Sequence, residues 1–375
     1  MPPVSILIKP ASSACNLACS YCFYKDVAAH REHAFEGMLT LDMLEKVISS
    51  GMEYAENICS FAFQGGEPTL AGLDFYKRVL EIQQKYQKKG VEIRNSIQTN
   101  GMVINEEWAE FLSAHHFLVG LSLDGPAEIH NLNRIDLQQR GSFNTVMRTV
   151  RLFRKYQVDF NILCVLTKRN ARAIEKVFRF YQKEGFNWLQ FIPCLDPFDT
   201  SAEKMNYSLT TEDYSFFLTK IFDIWFAEFK KGNYISIRHL DNWLSMMINE
   251  PPESCNMTGH CSIQFVVEGD GSVYPCDFYV LDQWNLGKVG ELPFADMVKS
   301  QKADDFISTS YVVPEDCRNC RWFALCRNGC RRERDAAGVN IYCKAVKSFF
   351  DSRAPQMRQA VDIILNERRR NMYFK

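Results

Sequence analysis

The chain has 375 residues, of which 46% are hydrophobic and 24% charged, and its formal net charge at pH 7 is −1. This composition is typical of a globular protein with room for two domains, and so small a net charge argues against nucleic acid as the main partner. No run approaches the roughly 20 apolar residues of a membrane span, and the apolar run after Pro3 is too short for a secretion signal, so we expect a cytoplasmic protein with no membrane partner.

Short apolar runs alternate with helix-period segments from residue 4 to about residue 231. Strands are predicted over residues 4–9, 58–63, 92–98, 117–121, 159–166 and 188–192. Helices are predicted near residues 40–57, 73–89, 105–115, 142–156, 170–184 and 210–231. Such alternation gives a parallel sheet with right-handed crossovers. Because six strand–helix units are too few to close an eight-stranded barrel, we predict an open, partial barrel.

Three cysteines follow the first predicted strand, with the spacing C-x3-C-x2-C: Cys15, Cys19 and Cys22. Iron–sulfur cubanes normally take four thiolates, so three protein ligands leave one iron open, and an open position is typical of a catalytic metal centre. The alternatives are a zinc knuckle or plain buried cysteines. A zinc site needs a fourth ligand nearby, and the nearest histidine, His30, lies eight residues further on.

Further unusual clusters follow the later strands. Residues 64–68 (QGGEP), 99–101 (TNG), 122–125 (SLDG) and 193–197 (PCLDP) come after strands two, three, four and six. Each alone is typical of a turn. Since the working face of an α/β barrel lies at the carboxyl ends of its strands, their joint placement around the cysteine run predicts a site.

Eight more cysteines lie in turn-rich sequence after about residue 235: Cys255, Cys261, Cys276, Cys317, Cys320, Cys326, Cys330 and Cys343. Eight thiolates suffice for two four-ligand sites, either iron–sulfur cubanes or zinc ions. Spacing alone does not assign each cysteine to its site. Cys59 and Cys164 lie in apolar strand segments, and we interpret both as small buried hydrophobic residues.

The first half of the chain resembles the radical S-adenosylmethionine enzymes in its C-x3-C-x2-C loop, with Tyr21 as the aromatic before the last cysteine, and in Gly65-Gly66-Glu67-Pro68. The resemblance implies a [4Fe–4S] cluster on Cys15, Cys19 and Cys22. S-adenosylmethionine would chelate the open iron, and cluster reduction would yield a 5′-deoxyadenosyl radical. Gly65 and Gly66 allow the backbone to approach the ammonium group of that ligand closely, and Glu67 offers a carboxylate for the same cation.

The second half resembles the SPASM extension, which carries two auxiliary [4Fe–4S] clusters. Residues 1 to about 345 resemble the anaerobic sulfatase-maturating enzymes, through stretches such as 61–70 (FAFQGGEPTL), 119–126 (VGLSLDGP) and 271–279 (GSVYPCDFY). This resemblance places one auxiliary cluster on Cys255, Cys261, Cys276 and Cys330 and the other on Cys317, Cys320, Cys326 and Cys343, for three [4Fe–4S] clusters in all. The S-adenosylmethionine contacts that it implies are Tyr21, Gly66, Ser122, Arg134 and Leu195.

The resemblance also implies a fold and its division. We predict an α/β chain: a partial (β/α)6 TIM-like barrel over residues 1–234, followed by a small cysteine-rich α+β SPASM domain over residues 235–345. A C-terminal helix is predicted over residues 346–375.

The implied reaction oxidises a cysteine or serine in a sulfatase segment of the type Cys/Ser-x-Pro-x-Arg to Cα-formylglycine. The radical removes a hydrogen atom from Cβ, an auxiliary cluster takes the second electron, and Asp277 takes the proton. A serine then becomes the aldehyde directly, whereas a cysteine becomes a thioaldehyde, which water hydrolyses to the aldehyde with release of sulfide. A free thiol has a pKa of about 8.5 and a free aspartate one of about 3.9, so we expect that transfer only after the carbon radical has acidified the thiol. Tyr24, Gln64, Arg238 and Arg332 are candidates for positioning the substrate.

The partners implied are an unfolded or nascent sulfatase polypeptide and an electron donor such as flavodoxin or ferredoxin. A second interpretation is a peptide maturase of the same chemistry that forms thioether or other crosslinks in a precursor peptide. A third is a non-catalytic iron–sulfur or zinc protein, against which the three-ligand cluster argues.

Overall fold

A computed structural model describes residues 3–199 and 205–373 of the chain. Its strands are β1 Val4–Ile8, β2 Ile58–Phe63, β3 Glu92–Thr99, β4 Leu118–Ser122, β5 Phe160–Leu166, β6 Trp188–Pro193, β7 Ser236–Ile237, β8 Val266–Val267, β9 Ser272–Tyr274 and β10 Gly287–Lys288. They form one sheet in the order β10-β9-β8-β1-β2-β3-β4-β5-β6-β7. Each of β1 to β6 pairs in parallel with the next strand.

The α-helices in the described ranges are α1 Phe23–Ala29, α2 Leu41–Tyr54, α3 Leu73–Lys85, α4 Glu106–Ala114, α5 Ala127–His130, α6 Phe143–Tyr156, α7 Lys168–Arg172, α8 Ile174–Lys183, α9 Thr211–Phe229, α10 Arg238–Met247, α11 Phe294–Met297, α12 Gln301–Ser308, α13 Glu315–Arg318, α14 Phe323–Cys326 and α15 Cys343–Tyr373. None of these helices combines the length and the apolar character that crossing a membrane requires. Helices α2, α3, α4, α6, α8 and α9 each lie between two successive strands of β1 to β7, so each crossover returns the chain to the same end of the sheet.

The open, partial barrel predicted from the strand–helix pattern is confirmed. All six predicted strands form, in chain order, with bounds that differ from the prediction by at most one residue at either end. Alternate residues of β1 are buried against the helices, whereas Ser5 and Leu7 face a cavity on the other side of the strand. Cys59 and Cys164 are buried, as predicted.

Helix starts follow the capping residues that the sequence offers. The side chain of Thr40 accepts a hydrogen bond from Met43 N (3.2 Å), and that of Asn105 accepts one from Trp108 N (2.9 Å). These contacts satisfy backbone donors that the first turn of a helix leaves free.

Several helices differ from the prediction, and α2 and α3 end three and four residues early, at Tyr54 and Lys85. The segment predicted as one helix over residues 170–184 is divided into α7 and α8 at Ala173. The amide of Asn170 donates a hydrogen bond to Val165 O (2.7 Å), which fixes the short α7 against the end of β5 before the chain turns. The C-terminal helix begins at Cys343, three residues before the predicted start at 346.

The cysteine-rich half extends the same sheet. β8 pairs in parallel with β1, and β8, β9 and β10 continue as antiparallel neighbours. Directly after β8, the buried carboxylate of Glu268 contacts Lys9 Nζ and Arg31 Nη1, each at 2.6 Å. Burial opposes ionisation of Glu268, but the charges of Lys9 and Arg31 outweigh it and lower its pKa to about 2. The domain bounds at 234/235 and 345/346 remain predictions, because the sheet itself runs through the first of them.

Candidate active site

A cavity of about 170 Å³ lies at the carboxyl ends of the barrel strands. Its walls include the thiols of Cys15, Cys19 and Cys22 and residues from the loops after β2, β3, β4 and β6. The five predicted cofactor contacts, Tyr21, Gly66, Ser122, Arg134 and Leu195, all line it. The structure therefore brings the three-cysteine run and the distant clusters into one site, as their position after the strands predicted.

The loop that carries the three cysteines is held by the segment before α6. Ala18 N donates to Ile135 O (2.7 Å), Ser20 N donates to Asn133 O (3.2 Å), and the Ser20 hydroxyl donates to the Asn133 side chain (2.6 Å). Burial raises the pKa of Cys15 to about 12, and the charges of Glu67, Cys19 and Cys22 add to the increase. All three thiols line the same cavity, which suits ligands of one cluster.

Gly66 brings the turn after β2 against this loop. It has a φ of +53°, and a Cβ atom at this position would overlap the carbonyl oxygen of Ala14. Only glycine fits so close a backbone approach without strain. The next residue continues the contact, since Glu67 N donates to Ala14 O (2.8 Å).

The Glu67 carboxylate is engaged by protein donors, although it lies in the cavity wall. Its Oε1 accepts from Thr69 N (3.0 Å), the Thr69 hydroxyl (2.6 Å) and the Thr99 hydroxyl (2.8 Å), and Oε2 accepts from Asn100 N (2.8 Å). The side chain is buried. Glu67 therefore joins the turn after β2 to the end of β3. The contact of its carboxylate with a ligand cation, which the sequence suggested, stays a prediction.

Glu67→Ala is expected to lower the free energy of unfolding by at least about 3 kcal/mol, because four buried donors lose their acceptor at about 1–3 kcal/mol each before relaxation. Glu67→Gln should have a smaller effect, since only the Asn100 N–H then faces a donor. The shift of the urea-denaturation midpoint under anaerobic conditions measures both.

Glu106→Gln is the matched control for the Glu67 variants. Its carboxylate is mostly exposed and pairs with Lys155 Nζ at 2.7 Å, so the denaturation midpoint should stay unchanged. A Glu67→Ala midpoint equal to that of this control would contradict the anchoring role.

Asp124, in the turn after β4, contacts two of the predicted cofactor residues. Its Oδ2 accepts hydrogen bonds from the Tyr21 hydroxyl and from Arg134 Nε (2.9 Å), and its Oδ1 accepts from Arg134 Nη2 (3.2 Å) and Val165 N (3.0 Å). Arg134 also lies over the Tyr21 ring, 5.5 Å from its centroid. All three of these side chains are buried, so the ion pair needs this set of hydrogen bonds to offset its desolvation.

Asp277 lies beside the three-thiol cavity, in the short turn that follows Cys276. Its Oδ2 accepts from the Tyr24 hydroxyl (2.6 Å) and from Gln64 Nε2 (3.0 Å), while Oδ1 is buried with no hydrogen-bond partner among the described residues. Burial raises the pKa of Asp277, against the lowering influence of Lys9 and the hydrogen bonds. Tyr24 and Gln64, predicted as positioning residues, thus contact this carboxylate and also line the three-thiol cavity.

A second cavity, of about 410 Å³, adjoins the first. Asp277 and four thiols line it, those of Cys255, Cys261, Cys276 and Cys330. Gln64 and Phe278 line both cavities and so form the wall between them. Burial raises the pKa of Cys276 well above its usual range, and the nearby charges of Cys330, Asp277 and Cys255 add to the increase. Cys330 therefore stands with the three earlier cysteines.

The remaining four cysteines form another group near α13, α14 and the start of α15. Burial raises the pKa of Cys326 to about 11, and the charges of Cys343, Cys317 and Cys320 add to the increase. Burial is the main cause that raises the pKa of Cys343, and the charge of Cys320 adds to the increase. Among the described residues, no three His, Cys, Asp or Glu side chains converge closely enough to bind one shared metal ion, whereas each thiolate ligand of a cubane binds a different iron atom.

The two predicted arginines occupy different places. Arg238 donates to the side chain of Gln190 (3.1 Å) and lines the second cavity. Arg332 lies over the Phe198 ring, 3.9 Å from its centroid, and donates to Asp196 O (2.8 Å). Arg238 lines the second cavity, whereas Arg332 lines neither cavity. The structure therefore does not bring the two arginines together at the site.

Sequence reasoning gave no role to three buried charged residues close to the site. Asp124 lies in the Ser-Leu-Asp-Gly run, one of the clusters that predicted the site, but it was not singled out there. Lys9 and Glu268 gave no signal, because each is a single charge at a strand end. Lys9 Nζ lies 5.2 Å from the centroid of the Tyr24 ring, which places the buried ion pair one side chain away from Asp277.

Comparisons with known proteins agree with this arrangement. The family model for the radical SAM superfamily matches residues 10–181, and that for an iron-sulfur cluster-binding domain (SPASM) matches residues 255–321. A Clostridium perfringens (strain 13 / Type A) protein named cysteine-type anaerobic sulfatase-maturating enzyme is 48% identical over 95% of this chain and 98% of its own. A Bacteroides thetaiotaomicron protein named serine-type anaerobic sulfatase-maturating enzyme is 30% identical over 95% of this chain and 90% of its own.

A solved structure described as native anSMEcpe with bound AdoMet and Cp18Cys peptide has the same fold. It superimposes with a TM-score of 0.93 at 48% identity and covers 97% of this chain and 100% of that one. Streptococcus suis SuiB bound to S-adenosylmethionine shares the fold alone, with a TM-score of 0.59 at 16% identity.

Proposed function

Because the chain belongs to the anaerobic sulfatase-maturating enzymes, we propose that it oxidises a cysteine of a sulfatase polypeptide to Cα-formylglycine. The observation that carries this proposal is the pair of adjoining cavities, one lined by three thiols and the other by Asp277. Cysteine is favoured over serine as the target because the cysteine-type relative is 48% identical and the serine-type relative 30%.

Cys15, Cys19 and Cys22 would hold the [4Fe–4S] cluster of the radical site, with S-adenosylmethionine in the cavity beside them. When bound in this cavity, the cluster and S-adenosylmethionine would supply a one-electron reductant and a radical able to remove a hydrogen atom from carbon. The donor set fits. Four cysteines line the cavity, but the buried Cys194 donates its thiol hydrogen to Tyr207 O (3.5 Å). The three cysteines of the loop would therefore be the cluster ligands, beside Gly66, Ser122, Arg134 and Leu195.

Two auxiliary [4Fe–4S] clusters complete the proposed count of three. Cys255, Cys261, Cys276 and Cys330 would hold one, and their common cavity of about 410 Å³ supports this set. Cys317, Cys320, Cys326 and Cys343 would hold the other, and the mutual influence of their charges supports that set. Bound there, the clusters accept and pass on single electrons.

The residues of this chain have separable tasks in the proposed reaction. Asp277 accepts the proton that the substrate thiol loses, and Tyr24 and Gln64 fix the orientation of that carboxylate through its Oδ2. Oδ1 remains for the substrate proton, because no protein donor occupies it among the described residues. Gln64 and Phe278 separate the two cavities, so a target residue between them would meet both the radical site and the base.

The proposed partners are an unfolded or nascent sulfatase segment of the type Cys-x-Pro-x-Arg and a one-electron donor such as flavodoxin or ferredoxin. We place the reaction in the cytoplasm, where such a segment is accessible before it folds. Neither nucleic acid nor a membrane has a part in it.

Mass spectrometry tests the proposed function. The reconstituted protein, incubated anaerobically with dithionite, S-adenosylmethionine and a Cys-x-Pro-x-Arg peptide, should lower the peptide mass by about 18 Da as cysteine becomes formylglycine. The matching serine peptide is the control for the cysteine preference and should react more slowly. A loss of about 2 Da from the cysteine peptide would instead indicate crosslinking, and S-adenosylmethionine cleavage without any change in peptide mass would contradict a sulfatase-type substrate.

A further inference from the structure

Asp124 is the buried junction between two walls of the three-thiol cavity. Its carboxylate accepts hydrogen bonds from Tyr21 in the cysteine loop, from Arg134 in the segment that covers this loop, and from the Val165 N–H at the end of β5. All three of these partners line the cavity, whereas Asp124 does not. Asp124 therefore acts on the cavity only through the residues that it holds.

The backbone on both sides of this junction is fixed as well. Asp124 N donates to Nδ1 of His130 (3.2 Å), and Nε2 of the same ring lies 2.9 Å from the Ser142 hydroxyl, which donates to Arg134 O (2.8 Å). The ring must therefore be neutral, with its hydrogen on Nε2. Burial lowers the pKa of His130 to about 3, which agrees with this assignment.

The Arg134 guanidinium has only one good position under these constraints. Nε and Nη2 both point at Asp124, and the stacking on Tyr21 fixes the plane of the group. A carboxylate that receives a forked arginine sets orientation as well as charge. Without it, a buried cation would turn toward another acceptor in the cavity, or draw water in.

We propose that Asp124 is the positioning residue of the S-adenosylmethionine site: it orients Tyr21 and Arg134 toward the ligand and couples the cysteine loop to ligand binding. This inference rests on the proposed function, because it takes the cavity to bind S-adenosylmethionine. Asp124 itself makes no contact with that ligand in this proposal. Loss of the Asp124 carboxylate should therefore weaken S-adenosylmethionine binding and leave the peptide site, on the other side of Gln64, unaffected.

The test is binding of S-adenosylmethionine to the fully reconstituted protein, wild type against Asp124→Asn. Asparagine keeps the shape but presents an N–H₂ group to Arg134 or Tyr21, so we expect a Kd at least tenfold higher with iron content unchanged. The electron paramagnetic resonance shift that the ligand causes in the reduced cluster should require correspondingly more ligand. The KM for the peptide should remain within twofold of wild type.

Two further variants keep the result interpretable. Tyr21→Phe removes one of the four hydrogen bonds and should weaken binding less than Asp124→Asn, which gives a measurement even if that variant does not fold. Glu128→Gln is the matched control, since this carboxylate lies four residues after Asp124, is more than half exposed, pairs with Lys176 Nζ (2.5 Å), and should leave the Kd unchanged.

Each remaining outcome decides against the proposal. A Kd within twofold of wild type in both Asp124→Asn and Tyr21→Phe would overturn it. Loss of iron from Asp124→Asn would overturn it too, because the residue would then support cluster assembly and not ligand orientation. Failure of the wild-type protein to bind S-adenosylmethionine would instead refute the proposed function, and the two failures are thereby distinguished.

Discussion

Asp277→Asn is expected to lower the rate of formylglycine formation at least about 100-fold, while S-adenosylmethionine is still cleaved. A positioned base typically contributes about 100- to 10,000-fold, and asparagine cannot take the thiol proton. The cleavage persists because Asp277 lines the second cavity and not the one with Cys15, Cys19 and Cys22. The measurement is formylglycine peptide and 5′-deoxyadenosine in the same reaction, by mass spectrometry and chromatography.

Asp282→Asn is the control for this substitution. Its carboxylate lies five residues further on, is exposed, and accepts a hydrogen bond from Glu32 N (2.8 Å), so both products should form at the wild-type rate. Full formylglycine yield from Asp277→Asn would contradict the role of Asp277 as the base. Loss of both products would show that the residue serves the radical site instead.

Pairs of cysteine substitutions are expected to separate the two auxiliary clusters by their iron content. Three [4Fe–4S] clusters hold about 12 iron atoms. Cys276→Ala with Cys330→Ala should leave about eight, because both thiols face the same cavity. Cys276→Ala with Cys343→Ala should leave about four, because Cys343 stands with Cys320 and Cys326. Iron and sulfide analysis of anaerobically reconstituted protein measures each.

Cys59→Ala is the control for the iron counts, since this thiol is buried within β2 away from all three groups. It should retain about 12 iron atoms. About four iron atoms in the Cys276 and Cys330 double variant would place these cysteines in different clusters and refute the interleaved assignment. Stoichiometric zinc in the wild type would refute iron–sulfur chemistry in this half.

The strand and helix pattern could be predicted from sequence because it depends on neighbouring residues. Alternating burial along β1 and capping by Thr40 and Asn105 are local effects. The break between α7 and α8 was missed because it depends on Asn170 reaching back to the end of β5. The small strands β7 to β10 were missed for a related reason, since strands of two or three residues carry no periodicity.

Some features of the site could likewise be predicted from the sequence, and others depend on contacts between distant residues. Parallel strands bring their carboxyl ends to one edge, so the sequence by itself determined that the cysteine run and the clusters after the strands would meet. The resemblance supplied the roles of Asp277 and of Cys330. Neither spacing nor residue type pointed to Glu67 as an anchor, because that role depends on donors from Thr69, Thr99 and Asn100.

The order of strands and helices, the three-ligand cysteine loop and the face of the barrel that carries the site all follow from local sequence pattern. Which charged side chains meet depends instead on the tertiary fold. Asp124 accepts hydrogen bonds from residues 103, 41 and 10 positions away along the chain. Glu268 forms ion pairs with a lysine and an arginine from the other half of the chain. A buried carboxylate acquires its role from the donors around it, and those donors become its neighbours only when the sheet has formed.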